Sequence, residues 1–552
     1  MLIVGQSLIG YLIKNSYPLL APEVWIAVSA IAFFALAIAS SDMCQSRAPY
    51  RYAMAAIIAV FLVIEFEEFT AINRYGMVGL ALGFFVVSLK LRERTYPLAA
   101  VVFAAFLVGS FVEMLQINRL GTIDRENEVA VHSANSRPRI IHLILDEHIG
   151  LEGIPSDTES GRATKELIKD FYRKYDFFVY GGAYSHYFWT YNAIPNVLNF
   201  AAESKNAAFI TGGSSHPRMT TNRYFKLLLD RNYTINAVRT DYLDVCADTH
   251  AAPQRCVLYG SHALGAIAEE RGLSAVQKAE LIALGYVEHT RLYRNGIRSA
   301  YRAVQPALAL LGIDLQPMTR RSFWEQNPYW LSSIDAMSVL EQMWREILRT
   351  EPGSAFFAHV MLPHFPYLYR EDCSLTSMDL WEGRELAFVF DATYGGSGSA
   401  DIDKRRVDRY SYYFQQLQCL YTELDRLFTL MKAADIFDDA IIVVHGDHGS
   451  RIVRHEPTSD NAALLTDDDF KDAFSTLYAV KTPGRRGGYD RTIRPLEELL
   501  AESFQVPREQ DHGAPAWESE HFVYLKRKAA EDGEEMLKAR YPPFGAQIAA
   551  RE

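Results

Sequence analysis

The sequence has little cysteine, and it lacks long basic runs, internal repeats and low-complexity tracts. Five cysteines occur among 552 residues and none stands in a Cys-x-x-Cys pair, which argues against a zinc ribbon or a thioredoxin-type centre. The net charge is -11, and no basic stripe is interleaved with aromatic residues. Nucleic acid is therefore not an expected partner. The length leaves room for about two or three domains of ordinary size.

Apolar residues are concentrated in the first 117 positions, whereas the remainder is typical of a mildly acidic globular protein. A membrane-spanning helix needs about 20 apolar residues, with about 17 as the lower end. The apolar segments are Val24–Ser40, Tyr52–Ile64, Gly76–Leu89 and Pro97–Leu115. The first and fourth are long enough, and the other two need flanking residues. We therefore predict a transmembrane anchor of about four helices over residues 1–117. A cleaved signal peptide is a poorer interpretation, because Met1–Pro22 lacks a basic start.

The charges between the apolar segments predict the orientation of this anchor. Basic residues follow the first and third segments, whereas acidic residues lie between the second and third. The basic residues are Arg47, Arg51, Lys90, Arg92 and Arg94, and the acidic ones are Glu65, Glu67 and Glu68. The positive-inside rule places the basic loops in the cytoplasm, so everything after about Asn118 is expected outside it.

The positions of the cysteines agree with this topology. Cys44 falls in a predicted cytoplasmic loop and is expected to stay a free thiol. The other four fall in the exported part, where an oxidising compartment favours disulfides. Cys246 and Cys256 are close in sequence and form the natural pair, which leaves Cys373 to pair with Cys419.

After a polar linker at 118–139, short apolar runs alternate with helical patterns, as expected of an α/β domain. This domain is predicted over 140–525, with an Ala/Leu-rich helical insertion at 262–316. Residues 526–552 are charged and contain proline, and they are expected to form a peripheral helix and tail. The predicted strands are Ile140–Leu145, Phe177–Tyr180, Thr234–Arg239, Ala355–Met361, Ala440–His445 and Ser475–Val480, with helices such as Thr164–Lys174 and Asp408–Lys432 between them.

The sharpest chemical signal is Ile441-Ile-Val-Val-His-Gly-Asp-His-Gly449, where a buried strand pattern ends abruptly in polar residues. In open α/β sheets, ligands bind beyond the carboxyl ends of the strands. Asp447 and His448 there present an oxygen and an imidazole to one cation. A second strand runs into Asp146 and Glu147, whose adjacent carboxylates repel each other unless a cation compensates them. The two strand ends together predict a mononuclear or binuclear metal site, although a polar turn or a helix cap explains either one alone.

Two further segments carry candidate reactive residues. Thr190 follows an aromatic run in Tyr187-Phe-Trp-Thr-Tyr-Asn-Ala-Ile-Pro195. A hydroxyl becomes a nucleophile when a metal or base lowers its pKa, although a threonine by itself is more often structural. His364 follows a third predicted strand, directly after Pro363. A ligand-type residue therefore stands at a third strand end.

These four segments, in this order, resemble the alkaline phosphatase/sulfatase superfamily. Within it they look most like the membrane-bound branch that includes phosphoethanolamine and phosphoglycerol transferases. The resemblance covers about Arg139 to Leu525, and the preceding helical anchor is also shared. It implies an α/β fold with an alkaline-phosphatase-like central mixed, mostly parallel sheet flanked by helices.

The resemblance also implies roles for individual residues. Asp447 and His448 would bind the metal, together with Asp146, Glu147 or both. Thr190, which stands five residues before Pro195, would be the nucleophile.

Three more residues are candidates for a second metal or for phosphate. His364 matches a family histidine that binds substrate phosphate or a second metal. His455 is a further possible ligand, but the segment after Gly449 departs from the transferase pattern. Arg451 either adds a cation to the site or is a surface arginine.

One motif of the family is missing. Sulfatases proper convert a Cys or Ser in a Cys/Ser-x-Pro-x-Arg motif to formylglycine. The sequence has no such motif, and Ser215-His-Pro-Arg218, which comes nearest, has the wrong spacing. Hydrolysis of sulfate esters is therefore disfavoured, and Thr190 is left as the expected nucleophile.

The function expected from the sequence is metal-dependent phosphotransfer by a membrane-anchored enzyme. Zinc fits mixed Asp/His ligation best, with manganese as the alternative. The donor would be a membrane lipid and the acceptor an envelope lipid or glycan. The alternatives are a sulfatase-like hydrolase of phosphoric or sulfuric esters and a non-catalytic membrane scaffold. A transporter is less expected, because no charged pair is clearly placed within the membrane.

Overall fold

The computed structural model describes most of residues 137–542 and a smaller part of the N-terminal segment. Described are 8–13, 15, 17–40, 82–83, 85–87, 90, 101, 137–212, 217–240, 242–259, 265–270, 272–289, 332–376, 399–507, 521–527 and 530–542. The chain divides into two compact units. One comprises Met1–Val131 with His262–Leu331, and the other comprises His132–Ser261 with Ser332–Glu552.

In the first unit, helix Pro22–Ser40 contains the first predicted membrane span and contacts helix Ala275–His289. A short helix, Gly265–Glu269, precedes the latter. Among the described residues, no helix has both the length and the apolar character needed to cross a membrane. The second predicted span and most of the third and fourth lie outside the described residues, so the anchor stays a prediction.

The described residues of the second unit are built on a sheet of eight strands. The strands are β1 Arg139–Leu145, β2 Phe178–Tyr180, β6 Thr234–Thr240, β7 Arg255–Tyr259, β8 Ser354–Val360, β9 Ala440–Gly446, β10 Tyr478–Lys481 and β11 Gly488–Asp490. Their order in the sheet is β11-β2-β10-β9-β1-β8-β6-β7, and of these eight only β10 runs antiparallel to its neighbours. The predicted mixed, mostly parallel sheet is confirmed.

Helices cover both faces of this sheet. Along β1, Ile141, Leu143 and Leu145 face one apolar cluster, whereas Ile140 and Ile144 face the other, as the alternation of a strand requires. The first cluster includes residues of helices Glu159–Lys174, Ser332–Leu348 and Ser399–Ala433, and the second those of helices Thr190–Leu198, Arg223–Asp230 and Leu496–Ser503. Because β1 is buried on both faces, its sequence is a nearly continuous apolar run.

Side-chain caps fix the starts of several helices. Thr158 accepts a hydrogen bond from Gly161 N at the start of helix Glu159–Lys174. Thr466 and Asp469 form a reciprocal capping box on helix Asp467–Phe474. Such a cap stabilises a helix by about 1 kcal/mol.

The segment beyond Lys526 differs from its prediction. Strand β13, Phe522–Leu525, pairs antiparallel with β14, Leu537–Arg540, where a peripheral helix was expected. In the described part of this segment the helix prediction was wrong, because pairing with the nearby strand β13 decides its structure and local charge does not. The remaining elements are β3 Ala183–Tyr184, β4 Ile210–Thr211, β5 Arg218–Met219, β12 Arg494–Pro495 and the 3-10 helix Ser459–Asn461.

Both predicted disulfides are present. Cys246 pairs with Cys256, which lies in the edge strand β7, and closes a separation of 10 residues. Cys373 pairs with Cys419, at a separation of 46 residues. The second bond ties the segment that follows β8 to helix Ser399–Ala433. The predicted pairing is confirmed.

Glu497 is a buried carboxyl group whose ionisation should destabilise the fold. Neither of its carboxylate oxygens has a hydrogen-bond partner among the described residues, and Oε2 lies 3.9 Å from His186 Nε2. Burial raises the pKa of Glu497 to about 8 and lowers the pKa of His186 to about 4. Between about pH 5 and pH 8 the folded chain therefore retains a proton on Glu497 that the unfolded chain releases, so the contribution of Glu497 to stability falls as the pH rises. His186 acts in the opposite direction between about pH 4 and pH 6.5, where only the unfolded chain binds its proton.

We expect Glu497→Gln to remove the contribution of Glu497 to this pH dependence and to leave that of His186. At pH 7 the variant should be more stable than the wild type by up to about 3 kcal/mol, and at pH 4 the difference should vanish. Thermal unfolding of the full chain at several pH values measures this difference in stability. Glu498→Gln, one residue along the same helix, is the control, because Glu498 pairs with Arg494 instead. Parallel stability curves for Glu497→Gln and the wild type would contradict the prediction.

Candidate metal centre

The candidate metal ligands stand at the carboxyl ends of three adjacent parallel strands. Leu145 at the end of β1 lies opposite Gly446 of β9 and Val360 of β8. The residues that follow these strands therefore emerge at one edge of the sheet. They are Asp146 and Glu147 after β1, Asp447 and His448 after β9, and His364 in the loop after β8.

Two groups of possible ligands share Asp146. Asp146, Glu147 and His364 form one, and Asp146, Asp447 and His448 form the other; in each, the ligand atoms lie within 4.8 Å of one another. All five side chains are buried. Asp146 Oδ1, Glu147 Oε1 and Asp447 Oδ2 accept no hydrogen bond from the described residues. Because buried carboxylate oxygens need compensation, these residues fit a divalent cation with mixed oxygen and nitrogen ligands.

Thr190 lies in contact with these ligands. It is the first residue of helix Thr190–Leu198 and is 1% exposed. Its Oγ1 lies 3.1 Å from His448 Nε2 and 3.5 Å from Asp146 Oδ2. The fold thus brings the predicted nucleophile together with ligands that are 44 and 258 positions away in sequence.

His448 presents a lone pair to the site. Its Nδ1 lies 2.9 Å from the carbonyl oxygen of Gly449, which only accepts, so this nitrogen carries the proton. Nε2 then holds the lone pair and accepts from Arg451 Nη2 at 2.8 Å. Burial first, and then the charge of Arg451, lower the pKa of His448 well below its ordinary value. The ring is therefore neutral, as metal binding requires.

Asp146 and Glu147 differ in proton affinity although they are adjacent. Burial and the charge of Asp447 raise the pKa of Asp146, but His364 and His359 outweigh them and the net shift is downward. Burial raises the pKa of Glu147 by more than His364 and Arg451 lower it. Opposite shifts are typical of carboxyl groups that share one site.

The backbone at Glu147 is held in an unusual conformation. Its φ is 62°, in the left-handed region that residues other than glycine rarely occupy. The hydroxyl of Tyr413 donates to the carbonyl oxygen of Glu147 at 2.9 Å and accepts from Ile149 N at 3.0 Å. This turn costs about 1–3 kcal/mol, and it is compensated by Tyr413. It keeps the Glu147 carboxylate inside the site, 3.5 Å from Arg451 Nη1.

His364 is positioned by a loop that the long helix supports. Its Nε2 lies 3.5 Å from Glu147 Oε1. Gln416, on helix Ser399–Ala433, donates from Nε2 to the carbonyl oxygens of Pro363 and His364, and its Oε1 accepts from Leu368 N at 2.8 Å. A glutamine amide thus fixes the strand-end loop that carries His364.

His359 is a site residue that the sequence analysis missed. It lies in β8 opposite Ile144, and its Nε2 is 2.9 Å from Asp146 Oδ2. Since the carboxylate only accepts, Nε2 carries the proton and orients Asp146. The available signal was a single histidine one residue before the end of a strand that is otherwise apolar and buried after Ser354.

Arg451 and His455 have different positions. Arg451 is 7% exposed, and its Nη2 lies 3.4 Å from Thr190 Oγ1, so the structure places it in the site and not on the surface. Its φ is 56°, a second left-handed residue next to the ligands. His455 belongs to neither ligand group. Its Nδ1 lies 3.3 Å from Asp469 Oδ2, and its side chain is 35% exposed.

The two glycines around Asp447 are required by close packing. A Cβ atom at Gly446 would lie within 3 Å of Thr476 Oγ1 and of the carbonyl oxygen of His148. At Gly449 it would come equally close to the carbonyl oxygen of Asp472. Neither glycine has a positive φ. Glycine is therefore required at these two positions because neighbouring atoms leave no room for a Cβ atom, and not because of a special turn conformation.

No protein-family model matches the sequence, and no curated protein matches it. Solved structures similar to the chain include the C-terminal periplasmic domain of EcEptC from Escherichia coli, in complex with zinc. That structure has 11% identity and a TM-score of 0.40, with 76% of this chain and 99% of that one covered.

Two further similar structures come from other proteins. One is a protein in the alkaline phosphatase superfamily from Vibrio parahaemolyticus, with 11% identity, a TM-score of 0.36, and 71% and 74% of the two chains covered. The other is BT4656 in complex with its substrate D-glucosamine-2-N,6-O-disulfate, with 10% identity, a TM-score of 0.41, and 73% and 87% covered.

Proposed function

We propose that the chain is a metal-dependent phosphotransferase of the alkaline phosphatase/sulfatase superfamily, with Thr190 as its nucleophile. The observation that carries this proposal is the position of Thr190. Its Oγ1 lies 3.1 Å from a lone-pair-bearing histidine nitrogen and 3.5 Å from a carboxylate oxygen, within a buried set of ligands. A hydroxyl placed among metal ligands is a candidate for covalent catalysis.

The candidate ligands are Asp146, Glu147, Asp447 and His448, and His364 is available to a second cation or to phosphate. A divalent metal held there would act as a Lewis acid, stabilise charge on phosphoryl oxygens and lower the pKa of the Thr190 hydroxyl. Zinc suits the mixed oxygen and nitrogen ligands best, and manganese is the alternative.

The proposed reaction has two displacement steps. Thr190 Oγ1 attacks the phosphorus of a phosphodiester, its proton passes toward Asp146 Oδ2, and the bond from phosphorus to the donor oxygen breaks. The leaving oxygen takes a proton from His364. A phosphothreonine diester remains. An acceptor hydroxyl then attacks the same phosphorus and gives its proton to His364, the bond from phosphorus to Thr190 Oγ1 breaks, and Thr190 Oγ1 takes back the proton from Asp146. Arg451, whose Nη2 lies 3.4 Å from Thr190 Oγ1, supplies positive charge at the point of attack.

The reacting hydroxyl is shielded from bulk solvent. Thr190 is 1% exposed and all five candidate ligands are buried, so a substrate that fills the site would displace water from the reacting atoms. Helix Thr190–Leu198 also begins at the nucleophile, and the positive end of its dipole favours an anionic group there.

We also propose that the reaction takes place outside the cytoplasm, on a membrane-anchored protein. The two disulfides, Cys246–Cys256 and Cys373–Cys419, favour an oxidising compartment. The apolar segments and their flanking charges support the anchor and its orientation. The donor would then be a membrane lipid headgroup, and the acceptor an envelope lipid or glycan.

An acceptor-dependence experiment tests the reaction type. The purified full chain is analysed for bound metal and incubated with headgroup-labelled phospholipids, with and without a glycan or lipid acceptor. We expect about one or two divalent ions per chain and a release of lipid that depends on the acceptor. The amount of label that appears on the acceptor should equal the amount of lipid that is released.

Other outcomes separate the competing functions. Release at the same rate without an acceptor, with label in solution, would show hydrolysis in place of transfer. A chain that holds no metal and releases nothing would favour a non-catalytic scaffold.

A further inference from the structure

A lysine from the C-terminal hairpin lies beside the nucleophile. Lys526 directly follows β13, and its Nζ is 4.3 Å from the ring centroid of Trp189 and 5.0 Å from that of Tyr191. It also donates to the Tyr191 hydroxyl. These two aromatic residues flank Thr190 in sequence, so Lys526 stands at the entrance to helix Thr190–Leu198.

Burial disfavours the charged form of Lys526, and neighbouring carboxylates offset only part of this effect. Burial, together with the charge of Arg451, lowers the pKa of Lys526 to about 8, and the charges of Glu456 and Asp532 offset only part of this. Within the part of the chain that the structure describes, Lys526 Nζ forms no ion pair with a carboxylate, and the buried Nε1 of Trp189 has no hydrogen-bond partner. A half-buried ammonium group that no described carboxylate contacts directly can bind an anion.

Arg451 approaches the same tryptophan. Its guanidinium carbon lies 5.2 Å from the Trp189 centroid, so Arg451 and Lys526 are at most 9.5 Å apart, the sum of their distances to that ring. Arg451 is 7% exposed and contacts Thr190, whereas Lys526 is partly exposed. Positive charge therefore continues from the nucleophile toward the solvent along Trp189.

We propose that Lys526 and Trp189 form a second anion subsite, next to the phosphoryl position at Thr190 and Arg451. This inference rests on the proposed function and narrows its substrate class. The substrate carries a further anionic group, a phosphate or a carboxylate, within a few bonds of the phosphoryl group that is transferred. Arg451 binds the first group and Lys526 the second.

Binding of two unreactive ligands tests the subsite. The full chain, loaded with zinc, is titrated calorimetrically with 3-phosphonopropionate, which has a phosphonate and a carboxylate, and with propylphosphonate, which lacks the carboxylate. We expect 3-phosphonopropionate to bind about tenfold more tightly. Lys526→Gln should abolish this preference and leave the affinity for propylphosphonate unchanged, whereas Lys526→Arg should keep most of it.

Lys538→Gln is the matched control. Lys538 lies in β14 of the same hairpin, and its Nζ is 3.9 Å from the Phe522 ring, so it makes the same kind of contact away from Trp189. It should leave both affinities unchanged.

The subsite and the proposed function fail in different ways. The subsite assignment is wrong if the wild type shows no preference for 3-phosphonopropionate or if Lys526→Gln keeps this preference. It is also wrong if that variant lowers the affinity for both ligands equally. The proposed function is wrong if the wild type shows the preference but cleaves no phosphodiester.

Discussion

Replacing Thr190 with alanine is expected to lower phosphodiester cleavage by at least about a thousandfold, because the variant lacks the atom that would bond to phosphorus. Thr190→Ser should retain a measurable part of the activity, since its hydroxyl reaches the same position. The second readout is the intact mass of the full chain after exposure to membrane lipids. The wild type should gain one phosphoryl-headgroup adduct, and Thr190→Ala should gain none. The added mass also identifies the group that is transferred.

Thr240→Ala is the matched control for this experiment. Thr240 is a fully buried threonine in β6 whose hydroxyl has no hydrogen-bond partner among the described residues. Its removal should leave both activity and adduct formation intact. Full activity in Thr190→Ala would show that the nucleophile is another group or a water molecule.

The second large effect is expected on the stability of an Asp447 variant. Whether the substitution stabilises or destabilises the chain should depend on whether metal is bound. Asp447 Oδ1 accepts from Glu147 N at 3.1 Å and from His448 N at 3.0 Å, and an asparagine oxygen can keep both bonds. Oδ2 has no such partner. Asp447→Asn should therefore stabilise the metal-free chain by about 1–2 kcal/mol, because it removes one of several close buried carboxylates. With metal present it should be less stable than the wild type, because it loses a ligand.

Thermal unfolding with and without zinc measures this crossover. Excess zinc should raise the melting temperature of the wild type in proportion to RT ln(1 + [Zn]/Kd), and that of Asp447→Asn much less. Asp439→Asn is the control, because Asp439 is exposed in the turn before β9. The ligand assignment would be refuted if zinc stabilised Asp447→Asn as strongly as the wild type. Activity of the wild type should disappear on chelation and return with zinc.

The central strands could be predicted because burial on both faces makes their sequences almost continuously apolar. β1, β8 and β9 lie in the middle of the sheet with helices on both faces, so almost every position is apolar. The edge strand β7, Arg255–Tyr259, is half exposed and was missed. The antiparallel direction of β10 was not predicted either, since hydropathy carries no information about strand direction.

The metal ligands could be predicted because parallel strands end at one edge of a sheet. Asp146, Glu147, Asp447 and His448 each stand directly after an apolar run, and knowledge of that edge is enough to group them. His364 and Thr190 needed the family resemblance as well. Their positions are set by Gln416 and by the start of a helix, and both depend on contacts between distant parts of the chain.

Lys526 could not be predicted as a neighbour of Thr190. It was assigned to a peripheral tail, because the segment after it is charged and contains proline. Its contacts with Trp189 and Tyr191 join residues more than 300 positions apart in the chain. Local sequence patterns do not indicate which distant aromatic side chain a lysine will contact.

The disulfide Cys373–Cys419 makes one part of the chain a covalent ring. A single peptide bond cut anywhere between these cysteines leaves two fragments that stay joined as long as the disulfide is intact. The loop that carries His364 and the end of helix Ser399–Ala433 that precedes β9 remain connected through it. A nicked chain would thus run as two pieces only after reduction, and the ligands at both strand ends would still belong to one molecule.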